Sequence, residues 1–382
     1  MTELNLKSRV CFGEDALSAL SELEHIGVTI LTDPFFKSSG KTELLERKMP
    51  LCNVSVYTDI VPDPAIEQVA DCYRFVKAHG AKVLVAFGGG SAIDTAKAVV
   101  LAANRAEGPG ALRLIAIPTT SGTGSEVTNF TVIKDNANGA KYPLVDDCML
   151  PELAILDYTL TMSVPPAITA DTGMDVITHA FEAYVSKNAT LVTDALAEKA
   201  LALAFSNLFE TYVHGDNAQA RENMQMASYL AGLSFTQAGL GITHSIAHAI
   251  GAQFHIPHGR ANAMILPHVI AFNAYLDVPF GADKSEAAKR YAAIAQRIGL
   301  ERAGVRLSVQ YLIREINSLL AKMQVPKTLL QAGVKRDDYK EQRSKIIELV
   351  LADVCTETNP RQPGPGDIGR ILDAIFDGSG VL

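Results

Sequence analysis

Val83-Leu-Val-Ala-Phe-Gly-Gly-Gly-Ser-Ala-Ile-Asp94 is the stretch that decides the fold. Its first five residues are continuously apolar, the pattern of a central parallel strand buried on both faces. Three glycines follow, and helical periodicity then runs from Ser91 to about Asn104. Strand, glycine turn and helix form the repeating unit of an α/β sheet. The same design recurs at Leu114–Ile117, which runs into Pro118-Thr-Thr-Ser-Gly-Thr-Gly-Ser125. Val28–Leu31 ends at Thr32-Asp33-Pro34, and Val54–Tyr57 precedes the loop Val61-Pro-Asp-Pro64. A helix is expected from Ala65 to His79, with Pro64 in its first turn and Asp63 as its cap. Alternation at Leu4, Leu6 and Val10 adds a short strand at the start of the chain.

After Asp157 the character changes. Pro165-Pro166 marks a break, and beyond it the periodicity is helical, with almost no strand signal. Helices are expected over Asp171–Lys187, Thr193–Phe209, Ala220–Gln237, Ile242–Phe254, Lys284–Ile298 and Arg306–Met323. Asn359–Gly366 reads as a loop before a last short helix. The chain thus divides into an α/β domain over residues 1–165 and an all-α domain over residues 166–382.

Composition narrows the function. Of 382 residues, 34 are basic and 42 acidic, and the net charge of −8 argues against nucleic acid as a partner. A chain 48% hydrophobic and 20% charged is not disordered. Asn223 to Gly259 contains no Asp, Glu, Lys or Arg, which invites a membrane reading. Polar residues such as Gln225, Ser228 and Thr243, together with repeated glycines, interrupt it too often for a lipid-spanning helix. The run is expected to be a charge-free buried wall of a soluble protein. Five scattered cysteines without a C-x-x-C fit reduced thiols, and no secretory signal is visible at Met1–Phe12, so a cytoplasmic location is expected.

Two loops suit a dinucleotide. Gly88-Gly-Gly-Ser-Ala-Ile-Asp94 opens a helix, where free backbone N–H groups favour an anion. It departs from the dinucleotide fingerprint at Ile93, which stands where a third glycine is usual, and no P-loop lysine follows. Thr119, Thr120, Ser121, Thr123 and Ser125 crowd hydroxyls at the next strand end, where ligands of open α/β sheets settle. Asp33 suits either a ribose diol, favouring NAD over NADP, or a helix cap.

The histidines suit a metal. Asp175 and His179 stand four apart on one helix face, and His244 and His248 repeat that spacing. His258 follows Pro257. A carboxylate with three neutral imidazoles makes a good shell for Fe2+ or Zn2+, and such an ion polarises a carbonyl or lowers an alcohol pKa. His255 and His268 are read as structural.

The motifs resemble those of the group III iron-containing alcohol dehydrogenases. They are Phe87-Gly-Gly-Gly-Ser-Ala-Ile-Asp-Thr-Ala-Lys97, Pro118-Thr-Thr-Ser-Gly-Thr-Gly-Ser-Glu126, Gly173-Met-Asp-Val-Ile-Thr-His179, Gly239-Leu-Gly-Ile-Thr-His-Ser-Ile-Ala-His248 and Pro257-His-Gly-Arg-Ala-Asn262. They span most of the chain. Pro151–Asp157, Thr193–Lys199 and Thr358–Arg361 are similar to the propanol and ethanol dehydrogenases of bacterial propanediol and ethanolamine utilisation. The resemblance implies a dinucleotide-binding α/β domain before a helical metal domain, the dehydroquinate synthase-like architecture. It implies Asp175, His179, His244 and His258 as metal ligands, with Fe2+ ahead of Zn2+, and His248 near the reacting carbon as a proton relay. Gly89, Gly90, Ser91, Asp94, Thr119, Thr120, Ser125 and Lys141 would line NAD(H), with Asp33 facing the adenosine ribose. A homodimer or larger homo-oligomer and membership of a bacterial microcompartment are further implications.

The reaction expected is reversible hydride transfer between NAD(H) and short-chain primary alcohols and aldehydes such as propanol and propionaldehyde. Rivals on the same fold are a glycerol or diol dehydrogenase, a lactaldehyde reductase and a dehydroquinate synthase-like lyase. A rival of another class is a catalytically silent NAD- or metal-binding partner protein, which would have no reason to keep all four ligands.

Overall fold

The computed structural model describes residues 7–61, 64–135, 140–300 and 302–378. The chain forms two compact units, Met1–Val164 and Pro165–Leu382. Leu4, Leu6 and Asp63 lie outside the described residues.

The first unit is built on a six-stranded sheet in the order β1-β8-β5-β4-β2-β3. Its strands are β1 (Arg9–Phe12), β2 (Gly27–Leu31), β3 (Asn53–Tyr57), β4 (Val83–Gly88), β5 (Arg113–Pro118) and β8 (Leu153–Leu156). Every pairing in it is parallel. Helices α1 (Pro34–Ser38), α2 (Lys41–Lys48), α3 (Ile66–Ala78) and α4 (Gly90–Glu107) connect the strands. The unbroken apolar run of β4 follows from burial on both faces. Leu84 and Ala86 join one core with α3 and α4, while Val83, Val85 and Phe87 join another with α2.

Three strands were not anticipated from the pattern: β8, and two more outside the main sheet. Phe130–Asp135 and Ala140–Val145 form an antiparallel hairpin, β6 and β7. β7 carries Pro143, tolerated because a two-stranded sheet leaves each strand an open edge. The helix expected from Ala65 starts at Ile66 instead. Ala65 is extended and bridges to Lys134, whose N–H donates to the Pro64 carbonyl at 2.9 Å, and this pairing holds Pro64 out of the helix.

The second unit is helical. Helices α5 (Pro166–Val185), α6 (Leu191–Val213), α7 (Ala218–Ala238), α8 (Ile242–Phe254) and α9 (His258–Asn273) come first. They are followed by α10 (Gly281–Lys284), α11 (Glu286–Arg297), α12 (Val305–Lys322), α13 (Arg336–Ala352), α14 (Cys355–Thr358) and α15 (Pro365–Asp377). One core lies among α5, α6, α7, α11 and α12, a second among α8, α13 and α15, and α9 contributes to both. The helix expected over Lys284–Ile298 divides at Ser285, whose side chain accepts from the Ala288 N–H as a cap. Three helices of this unit escaped the pattern: α9 holds Pro267 in its interior, α13 buries only Tyr339, Ile346 and Val350, and α14 is a single turn. The charge-free run is shared between α7 and α8 and reaches the start of α9. Among the described residues, no helix is long and apolar enough to cross a membrane.

Phe87 is fully buried, its ring centroid 4.8 Å from that of Phe36. Phe87→Ala is expected to cost about 3–5 kcal/mol through lost transfer and a residual cavity, read as a lower urea midpoint. An unchanged midpoint contradicts the central placement of β4.

Candidate metal centre and dinucleotide loops

Three helices bring four ligand-type side chains to one point. Asp175 and His179 project from one face of α5, His244 is the third residue of α8, and His258 opens α9. Asp175 Oδ1 lies 3.6 Å from His258 Nε2, 3.9 Å from His244 Nε2 and 4.0 Å from His179 Nε2. All four ligand atoms fall within 4.8 Å of one another. A divalent ion with ligands at roughly 2.0–2.2 Å fits donors at such spacings. Asp175, His179 and His244 are buried, whereas the His258 side chain keeps 41% of its surface open. Closeness at the α9 end rests on Gly259, where a Cβ would stand 2.1 Å from the Asp171 carbonyl oxygen of α5.

The donor set carries the charges a metal needs. Burial holds His244 well below its ordinary pKa, with the neighbouring histidines adding to the effect, so its imidazole is neutral. Burial pushes the Asp175 carboxyl up, but the three imidazoles and Asn262 outweigh it and keep the group ionised. Asn262 Nδ2 donates to Asp175 Oδ1 at 2.7 Å and lies 3.2 Å from Nε2 of both His244 and His258. His179 is stacked between Phe235 and His244, each with a ring centroid at 4.5 Å. A neutral-imidazole and carboxylate shell of this kind suits Fe2+ or Zn2+.

The expectation of a wall without other charges is corrected here. Two carboxylates reach it from other elements. Glu182, on the same face of α5 as Asp175 and His179, meets His244 Nδ1 at 2.6 Å. Asp353, just past α13, accepts from His248 Nδ1 at 2.9 Å. Both were missed: Glu182 had a signal in its spacing, seven residues after Asp175, whereas Asp353 is more than a hundred residues from His248. His248 lies beside the cluster, its ring centroid 5.5 Å from that of His258. Cys355 adjoins His248 and Asp353, and burial raises its thiol far above the ordinary range, so it stays protonated. His255 ends α8 in a left-handed conformation, and burial brings His268 down to about 4.

In the first unit, the loop residues collect at the carboxyl ends of adjacent strands. β2 has β3 on one side and β4 on the other, so the chain reverses its direction of growth there, the switch point where α/β sheets bind ligands. Gly89 caps α4 in an extended conformation, with Gly90 and Ser91 as its first residues. Thr119 donates its backbone N–H to the Gly88 carbonyl at 3.0 Å, tying the β5 loop to the β4 loop. Ser125 Oγ donates to Asp94 Oδ1 at 2.7 Å and accepts from the fully buried Lys97 Nζ at 2.8 Å. Lys97 also donates to Thr128 Oγ1 at 2.6 Å and to the Phe130 carbonyl at 3.0 Å. Thr120 remains partly open. Asp33 is a helix cap: its Oδ1 accepts from the N–H groups of Phe35 at 2.9 Å and Phe36 at 3.2 Å. Both bonds use one oxygen, so the cap does not occupy the whole carboxylate. Lys141 lies on β7, and its side chain is outside the described ones.

Sequence comparison matches residues 7–158 to the iron-containing alcohol dehydrogenases and residues 169–376 to the C-terminal part of the Fe-containing alcohol dehydrogenase family. The 1-propanol dehydrogenase PduQ of Citrobacter freundii is 42% identical over 379 residues, covering 98% of this chain and all of the relative. The iron-containing alcohol dehydrogenase of Thermococcus thioreducens superposes with a TM-score of 0.88 at 31% identity, covering 99% of this chain and 100% of the other. A sulfoacetaldehyde reductase of Bifidobacterium kashiwanohense, solved with NAD+, gives 0.86 at 28% identity and 99% coverage of both chains.

Because α9 starts against the backbone of α5, Gly259→Ala is expected to displace His258 and weaken metal retention. Metal affinity, measured by competition with a chelator, should fall at least tenfold, about 1.4 kcal/mol. Unchanged retention contradicts the close approach.

Proposed function

The chain belongs to the iron-containing alcohol dehydrogenase family, and from that membership we propose that it interconverts short-chain primary alcohols and aldehydes, propanol and propionaldehyde foremost, with NAD(H). The observation that carries the reading is the convergence of Asp175, His179, His244 and His258 within 4.8 Å. The likeness to a 1-propanol dehydrogenase over the full length of both chains supports the substrate class.

In this reading residues 1–165 bind the dinucleotide and residues 166–382 hold the metal. When bound, the metal supplies Lewis acidity at the substrate oxygen and the nicotinamide gives or takes hydride. The chain's own part is positional and electrostatic. Free N–H groups at the start of α4 meet the pyrophosphate, and Gly89 and Gly90 leave room for it. Ser91, Asp94, Thr119, Thr120, Ser125 and Lys141 line the same cofactor. The Asp33 oxygen not used by the cap faces the ribose and repels a 2′-phosphate, which selects NAD.

Proton transfer falls to His248. Its Nδ1–H donates to Asp353, so Nε2 is the nitrogen left to take or give a proton. Asp353 is held down at about 2: burial would raise it, but the His248 contact and the Cys355 N–H outweigh that. It therefore stays ionised and fixes the ring through turnover. We further propose a homodimer or larger homo-oligomer, and a cytoplasmic location that includes a bacterial microcompartment.

His258→Ala is expected to abolish metal-dependent turnover of propionaldehyde with NADH, measured anaerobically after Fe2+ loading. A variant with unchanged metal content and rate contradicts the assignment. For the cofactor, Asp33→Ala is expected to narrow the preference for NADH over NADPH by at least tenfold in kcat/KM, and to lower stability by about 0.5–2 kcal/mol through the lost cap. An unchanged NADH/NADPH ratio removes Asp33 from the ribose site. Glycerol or a vicinal diol turned over faster than propanol would favour the diol dehydrogenase reading.

A further inference from the structure

A fully enclosed carboxylate sits one step outside the proposed metal ligands and has no part in the mechanism above. Glu182 is only 3% exposed. Its Oε1 accepts from the Thr243 N–H at 2.6 Å, and its Oε2 accepts from the Gly241 N–H at 2.9 Å and meets His244 Nδ1 at 2.6 Å. Two of these donors are backbone groups at the first turn of α8, which has no side-chain cap of its own. Glu182 thus serves that helix end from a neighbouring helix, and in the same contact it grips the side chain two residues further on.

The surroundings are shaped for this carboxylate. A Cβ on Gly241 would stand 2.8 Å from both Glu182 Oε1 and Asn359 Oδ1, so only glycine admits the approach. Asn359, itself fully buried, accepts from the Ile242 N–H at 3.2 Å and donates to Asn273 Oδ1 at 2.8 Å. A carboxylate accepts and cannot donate, so each group pointing at Glu182 must donate. For His244 this places the proton on Nδ1 and leaves the Nε2 lone pair facing Asp175.

We infer that Glu182 is a positioning residue for the metal: it sets the tautomer and ring orientation of His244. This inference rests on the reading that Asp175, His179, His244 and His258 hold the metal. In Glu182→Gln the amide cannot accept from all three donors. If its NH2 faces His244, Nδ1 must accept, and the proton moves to Nε2, where it blocks the metal.

The test is Zn2+ affinity of the full chain by competition with a chromophoric chelator, for the wild type, Glu182→Gln and His244→Ala, with thermal unfolding of each metal-free protein. Outer-shell partners of this kind typically contribute about 10–100-fold in affinity. Glu182→Gln should therefore lose roughly that factor, and its metal-free Tm should fall as well because one buried donor is left without an acceptor. His244→Ala should lose more. Unchanged affinity in Glu182→Gln beside a loss in His244→Ala overturns the role of Glu182 alone. Unchanged affinity in His244→Ala overturns the four-residue metal centre on which it rests. A second measurement needs no folded Glu182 variant: histidine 15N–1H correlation spectra of the metal-free wild type, with His244 assigned by its loss in His244→Ala. A proton on Nδ1 supports the inference, and a proton on Nε2 overturns it.

Discussion

A buried carboxylate must be satisfied, and the three hydrogen bonds that satisfy Glu182 bind α5 to the start of α8. Leaving such a group without partners costs several kcal/mol, which makes this junction among the least adjustable in the second unit. It sets α8, and with it His244, against the α5 residues of the metal centre. α5 carries Asp175 two turns and His179 one turn before Glu182, α8 carries His244 immediately after the junction, and α9 brings His258 over Gly259. The two glycines have one kind of duty: each removes a Cβ that would hold backbone or carboxylate out of contact.

The first unit obeys a different constraint. Its central strands β4 and β5 are buried on both faces and read as apolar runs, and the loops at their carboxyl ends carry the polar groups. There the hydroxyl-rich loop after β5 is pinned by Lys97, a buried ammonium whose three contacts are two hydroxyls and a carbonyl. Burial brings that lysine down to about 8, with Asp94 and Glu126 opposing the shift. Asp94 and Ser125, both assigned to the cofactor, are therefore parts of one hydrogen-bonded unit with Lys97 rather than independent ligands.

Much of this was legible in the residues. The β4 and β5 units announced themselves because burial on both faces leaves an unbroken apolar run. The pairs Asp175/His179 and His244/His248 followed from helical spacing. What escaped has physical reasons. β6 and β7 lie outside the main sheet as a two-stranded hairpin and carry a proline, so they lack the run of a central strand. α9 hid behind Pro267, and α13 behind a polar surface with three buried residues. The charge-free run misled most: periodicity reports which residues share an element, not which carboxylates arrive from another. Glu182 and Asp353 come from before and after the run in sequence, and the fold sets them against His244 and His248. Asp33 was read as open between cap and ribose ligand, and the structure shows the cap while leaving one oxygen for the other role.

The central claim is that one divalent ion is held by three imidazoles and one carboxylate. X-ray absorption at the metal edge of the Fe2+- or Zn2+-loaded full chain tests it most directly. The account predicts three imidazole nitrogens and at least one oxygen at about 2.0–2.2 Å, with no sulfur. A sulfur scatterer near 2.3 Å, or fewer than three imidazoles, would contradict it.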